Sequence, residues 1–167
     1  MRRTARLVAA LLGVQAVLVG IWWTIERVRA PPPPFDWAPV DGPAPSIELA
    51  RGEEPVLVPA GTHLVHFWAT WCAPCQQELP ELIDAAEEQG VPLLAVTDEP
   101  WPVVEAWFGG KVPAVVVRDP SGAAAARWGV SSLPDTWVVS QGRLDARVQG
   151  ARPWAEPGAR EFLRGLR

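Results

Sequence analysis

Residues 66–80 read HFWATWCAPCQQELP, and Cys72 and Cys75 within them are the only cysteines among 167 residues. The residues before them, THLVHFWA at 62–69, are rich in β-branched and aromatic side chains and predict a strand. The residues after them, APCQQELPELIDAAEEQG at 73–90, place Leu79, Leu82, Ile83 and Ala86 at helical spacing, with Gly90 as the stop. Pro80 is expected to kink that helix near its first turns. Cys72 then stands at a helix N-terminus, where free backbone N–H groups and the helix dipole stabilise a thiolate, the reactive form of cysteine. Cys75, in the first turn, reaches the same sulfur and closes a small disulfide. Pro74 has no N–H to lose at this point and stiffens the loop, so it should tune how readily that disulfide opens.

Metal chemistry is the rival use of two close thiols. A structural zinc site takes four ligands and this motif supplies two. His63 and His66 are the only histidines, and three residues apart on a strand they face opposite sides. Copper held by the two sulfurs, as in a binding or delivery module, stays open as the alternative. A purely structural disulfide is disfavoured, because so short a loop restricts the unfolded chain weakly.

Outward from the motif the pattern is α/β. SIEL (46–49) and PVLV (55–58) read as short strands, and VPLLAVT (91–97) as a central strand buried on both faces. EPWPVVEAWFGG (99–110) reads as a helix closed by two glycines, VPAVVVRD (112–119) as a strand, and PSGAAAARWGV (120–130) as a turn and short helix. PDTWVVS and RLDARVQG, separated by Gln141 and Gly142, predict an antiparallel hairpin. EPGAREFLRGLR (156–167) closes the chain as an amphipathic helix. The order predicts a mixed sheet with helices on both faces. Trp68, Trp107, Trp128 and Trp137 are expected to pack in the core or rim the site.

The N-terminus is different. Arg2, Arg3 and Arg6 precede an apolar run at 7–25 that ends near Trp22 and Trp23. As a helix this run just crosses a hydrocarbon core of about 30 Å, with aromatics at the interface and the basic end inside. Residues 1–30 are therefore expected to be a retained signal anchor; a cleaved signal peptide is the competing reading. Residues 31–45 are proline-rich and read as a stiff, extended spacer, and residues 46–167 as the folded domain. Residues 1–30 hold five arginines and one glutamate, whereas 31–167 hold ten basic and eighteen acidic side chains. An acidic domain without a basic stripe offers no footing for nucleic acid.

FWATWCAPC followed by QQELP, with WGVSSLPDTWVV (128–139) some sixty residues on, resembles the thioredoxin superfamily, specifically the membrane-anchored TlpA/ResA-like thiol–disulfide oxidoreductases. The resemblance covers roughly residues 45 to 165. It implies a thioredoxin-like fold, a mixed central sheet flanked by helices, preceded by one transmembrane helix. It further implies that Cys72 is the exposed attacking thiol and Cys75 the resolving one. Trp71 packs beside the pair. Pro134 is cis and opposite the cysteines, and the Leu133 backbone pairs with an extended substrate. Ala73, Pro74 and His66 tune the redox pair, which needs no cofactor beyond its own disulfide.

Glu78 matches a glutamate common in this group and is expected to shuttle the proton of Cys75. His66 stands where relatives carry an acid or an amide, and is expected to be a hydrogen-bonded core residue, with a second proton relay as the other role. Asp135, directly after the expected cis-proline, also departs from the pattern. The expected function is reduction of disulfides in exported proteins, such as apocytochrome c, on the periplasmic or extracytoplasmic face of the cytoplasmic membrane. A DsbD/CcdA-type transmembrane thiol shuttle is the expected electron source.

Overall fold

The computed structural model describes residues 13–23 and 35–166. The chain divides into two units, Met1–Pro33 and Pro34–Arg167. In the first, residues 13–23 form helix α1, with Val14, Val17, Leu18 and Trp22 exposed. At about 1.5 Å per residue the described part of α1 accounts for roughly 16 Å of a hydrocarbon core. Among the described residues no helix is long and apolar enough to cross a membrane. The remainder of the span expected at 7–25, including its basic flank, lies outside the described residues.

The second unit runs β1 (Ala38–Pro43), β2 (Leu49–Arg51), β3 (Glu54–Val56), β4 (His63–Phe67), α2 (Ala73–Gln89), β5 (Leu93–Thr97), α3 (Trp101–Trp107), β6 (Val116–Arg118), α4 (Ala124–Arg127), β7 (Asp135–Ser140), β8 (Arg143–Gln149) and α5 (Pro157–Arg164). Its strands form one mixed sheet in the order β1-β8-β7-β4-β5-β6-β2-β3. β4, β5 and β6 are parallel neighbours; β7 runs antiparallel to β4 and β8 antiparallel to β7. The parallel strands β4 and β5 are buried at every position, as strands covered on both faces must be.

The two faces of the sheet follow from the alternation of β4. Leu64 packs with Leu82, Ala85 and Ala86 of α2 and with Leu163 of α5. Val65 and Phe67 point the other way, among Leu94, Val96, Trp128 and Trp137. A third cluster joins Trp68, Cys72, Cys75, Leu79 and Val104 at the end of the sheet where α2 begins. Buried positions on α2 (Cys75, Glu78, Leu79, Leu82, Ala85, Ala86 and Gln89) recur at the period of one helix face. The helix is continuous through Pro80 and ends at Gly90, whose φ of 65° is the left-handed conformation that glycine adopts cheaply. The hairpin turn places both Gln141 (φ 50°) and Gly142 (φ 76°) in the left-handed region, as a two-residue turn between twisted strands requires.

Two expectations shift. The strands expected at 46–49 and 55–58 are β2 and β3, displaced along the chain, because pairing with β6 and with each other sets their limits. Of the spacer expected at 31–45, the described residues from Phe35 onward join the fold: β1 pairs antiparallel with β8, and Phe35 lies 4.9 Å from Trp154 and 5.1 Å from Phe162. Prolines suit an edge strand, where one row of N–H groups needs no partner, so the composition that suggested a spacer also permits an edge.

Candidate active site

The loop from β4 into α2 positions the cysteines. Cys72 is the N-cap of α2, with extended backbone (φ −81°, ψ 101°), and Pro74 occupies the first turn. Cys72 and Cys75 are joined by a disulfide, S–S 2.02 Å. The Cys75 N–H donates to the Cys72 sulfur at 3.3 Å and the Gln76 N–H to the Cys72 carbonyl at 3.0 Å. The helix start thus directs one backbone donor, the Cys75 N–H, at the sulfur on which negative charge would develop.

Cys72 is more covered than expected of an exposed attacking thiol. It is 5% exposed and Cys75 is 0% exposed, because both sulfurs belong to the apolar cluster with Trp68 and Leu79, against which Leu133 packs. Trp71, by contrast, is 72% exposed and stands on the surface beside the pair. The Leu133–Pro134 peptide bond is cis, and the packing of Leu133 on the cysteine cluster brings this segment against the disulfide. A groove of about 240 Å³ runs from Trp71 past Leu133 and Ser132 to Val130 and Asp98.

Glu78 lies one turn after Cys75 on the same buried face of α2 and is 4% exposed. Burial pushes its carboxyl up to about 7, against the pull of the Arg152 backbone N–H, which donates to Glu78 Oε2 at 2.7 Å. His66 is wholly buried, and burial lowers it to about 3, so its ring is neutral. Being an even position of β4, it shares the α2 face with Leu64; there its Nδ1 lies 2.9 Å from Thr136 Oγ1. His66 is thus a hydrogen-bonded core residue, and it also faces Glu78, with Nε2 3.8 Å from Oε1. Asp135 turns to the opposite face of β7 and is held by Arg147 Nε at 3.0 and 3.2 Å, its raised carboxyl reflecting burial opposed by that guanidinium.

Sequence reasoning missed Glu99. From the loop between β5 and α3 it accepts the Thr70 N–H at 2.6 Å and the Thr70 hydroxyl at 2.7 Å, clamping the residue two before Cys72. Nothing in the CxxC motif points to an acid 29 residues on; only the parallel pairing of β4 with β5 brings the two strand ends together. Arg152 was missed for the same reason, since it lies 74 residues from Glu78. Ala73 and Pro74 occupy the two positions between the cysteines, and among the described residues no group of three or more His, Cys, Asp and Glu is placed to hold a metal ion.

A CxxC disulfide at a helix N-terminus, with a cis-proline leading into a strand of the mixed sheet, defines a thioredoxin-like protein with a redox-competent cysteine pair. Residues 41–147 match the AhpC/TSA family, and the chain belongs to that family. It is 31% identical over 136 residues to the thiol:disulfide interchange protein DsbE of Allochromatium vinosum, covering 70% of this chain and 72% of that one. It is 35% identical over 91 residues to the thiol:disulfide interchange protein HelX of Rhodobacter capsulatus, covering 52% of this chain and only 51% of HelX. The crystal structure of a DsbE-type thiol:disulfide interchange protein from Chlorobium tepidum superposes with a TM-score of 0.60 at 24% identity, covering 75% of this chain and 93% of that one. That likeness establishes the thioredoxin-like fold.

Proposed function

We propose that this protein is a thiol–disulfide oxidoreductase, tethered to the membrane by its N-terminal segment, that reduces disulfides in exported proteins such as apocytochrome c. The observation that carries the reading is the Cys72–Cys75 bond at the start of α2, with the Cys75 N–H directed at the Cys72 sulfur. The names of the relatives, thiol:disulfide interchange proteins, support it.

In the reduced protein the helix start favours a Cys72 thiolate. That thiolate attacks one sulfur of a substrate disulfide; the other substrate sulfur leaves and takes a proton, and a mixed disulfide remains. Cys75 gives its proton to Glu78 and attacks the Cys72 sulfur. The bond between Cys72 and substrate breaks, the substrate sulfur leaves as a thiolate and takes a proton from solvent, and the Cys72–Cys75 disulfide returns. Two electrons pass to the substrate, carried by the pair itself without a further cofactor. A transmembrane thiol shuttle of the DsbD or CcdA type restores them. The exposed Trp71 and the backbone of Leu133 before Pro134 present the substrate strand to the sulfurs.

The full-length protein equilibrated with defined glutathione ratios should show a potential near the reducing end of CxxC proteins, about −270 mV rather than about −120 mV. Cys75→Ala should trap exported cysteine-bearing proteins as mixed disulfides in cells. If that variant captures nothing while the reduced protein binds Cu(I) stoichiometrically, copper delivery replaces this reading.

A further inference from the structure

Beside the cysteines, two buried polar atoms without a hydrogen-bond partner face each other. They are His66 Nε2 and Glu78 Oε1, 3.8 Å apart. Each side chain is pinned at its other end. His66 Nδ1 is tied to Thr136 Oγ1 at 2.9 Å, and the two residues are direct partners across the β4–β7 ladder. Glu78 Oε2 accepts the Arg152 N–H at 2.7 Å. Pinning both ends in this way leaves the two free atoms aimed at one another. Buried polar atoms that are left unpaired are rare in folded proteins, so a facing pair calls for a role.

The surroundings of Glu78 are uneven. A cleft of about 280 Å³, lined by Pro74, Gln77, Glu81, Ala151, Arg152 and Pro153, opens on it from solvent. Arg152 and Glu81 are the other charged groups near its carboxyl, and the buried Trp154 indole N–H is a second side-chain donor directed toward it. His66, 0% exposed, closes the inner side. The carboxyl thus has a wet side, where protons arrive and leave, and a dry side shared by the His66 imidazole and the buried Trp154 indole.

We infer that His66 is a positioning residue for Glu78: Thr136 anchors the neutral imidazole, the tautomer is the one whose Nε2–H points at Glu78 Oε1, and that N–H holds the carboxylate in place to receive the proton of Cys75. The inference rests on the exchange reaction proposed above. The Thr136 hydroxyl serves either tautomer; the carboxyl facing Nε2 selects the one protonated there, and Thr136 then donates to Nδ1. The 3.8 Å gap is longer than a hydrogen bond in the disulfide form. Ionisation of the carboxyl supplies the attraction that closes it, by a small rotation about an oxygen already anchored on Arg152. No proton passes through His66; it stays neutral and donates one hydrogen bond. The proton taken from Cys75 rests on the outer oxygen and leaves by the cleft. An imidazole suits this place because it combines a donor with a rigid ring that strand pairing can aim.

The test follows the imidazole nitrogens and the Glu78 carboxyl of the full-length protein by NMR from pH 5 to 9. The ring should stay in the neutral Nε2–H tautomer, and its Nε2 signal should move with the midpoint of the Glu78 carboxyl. His66→Leu should raise that midpoint by about one unit, as loss of a donor to a carboxylate does. The pH–rate midpoint of disulfide exchange should rise with it, and His66→Gln, which keeps an N–H donor, should restore both. An Nδ1–H tautomer, or an unmoved Glu78 midpoint in folded His66→Leu, overturns the inference. Should His66→Leu fail to fold, the wild-type nitrogen titration decides alone. If the tautomer and midpoint behave as expected but no form of the protein exchanges disulfides, the pairing stands and the oxidoreductase reading falls.

Discussion

Replacing Glu78 by glutamine should change how folding stability depends on pH, by an amount the structure fixes. The carboxyl titrates at about 7 in the folded protein against an ordinary 4.5. Between those values the folded state binds more protons than the unfolded chain, so this group's contribution to stability falls as pH rises through the window. At about 1.4 kcal/mol per unit, the accumulated loss is about 3 kcal/mol by pH 8. His66 acts in the opposite sense: with a folded value near 3 against 6.5, it gives stability that is present above 6.5 and lost as pH falls. The wild-type profile is therefore a partial cancellation, and only the variant separates the two. Glutamine keeps an acceptor for the Arg152 N–H and cannot ionise. Urea unfolding of the oxidised protein, followed by tryptophan fluorescence at pH 4 and pH 8, supplies the comparison. The stability difference between Glu78→Gln and wild type should move by about 3 kcal/mol in favour of the variant across that range, with the His66 contribution common to both. Parallel profiles, within about 0.5 kcal/mol, would refute the claim that burial holds this carboxyl up.

Two further outcomes concern the scaffold. Glu99→Ala releases both hydrogen bonds to Thr70 and should slow exchange while costing about 1–3 kcal/mol, measured by insulin-disulfide reduction and thermal unfolding. Leu79→Ala empties a fully buried position beside both cysteines and should cost about 2–5 kcal/mol in urea unfolding.

The sequence shows most clearly what is local. Strand, CxxC, helix and Gly90 are contiguous, and their hydrophobic periods agree with what α2 and β4 bury. The Gln141–Gly142 turn is legible from its glycine, which adopts the left-handed conformation cheaply, whereas Gln141 is carried into it by the hairpin. What escaped depends on strand order. Glu99 and Arg152 meet the site only because β5 and β8 end beside the start of α2, and no short-range pattern encodes that. His66 was legible as buried, since strand alternation gives its face. Its approach to Glu78 was not, because that requires the lateral position of α2 on the sheet. The proline-rich stretch misled for a different reason: extended spacers and edge strands share a composition, and only the pairing of Ala38 with Arg147 and of Pro39 with Ala146 tells them apart.

That edge strand bears on how the molecule can be cut. Asp36, just ahead of β1, grips the Arg152 side chain at 2.8 Å, and the backbone of the same arginine grips Glu78. A soluble version trimmed at residue 46, where globular character first shows in the sequence, would strip β8 of its outer neighbour, bare Trp154 where Phe35 had covered it, and loosen the arginine that anchors the acid. Whatever such a fragment revealed about proton handling would describe damaged machinery, so the cut belongs ahead of Phe35.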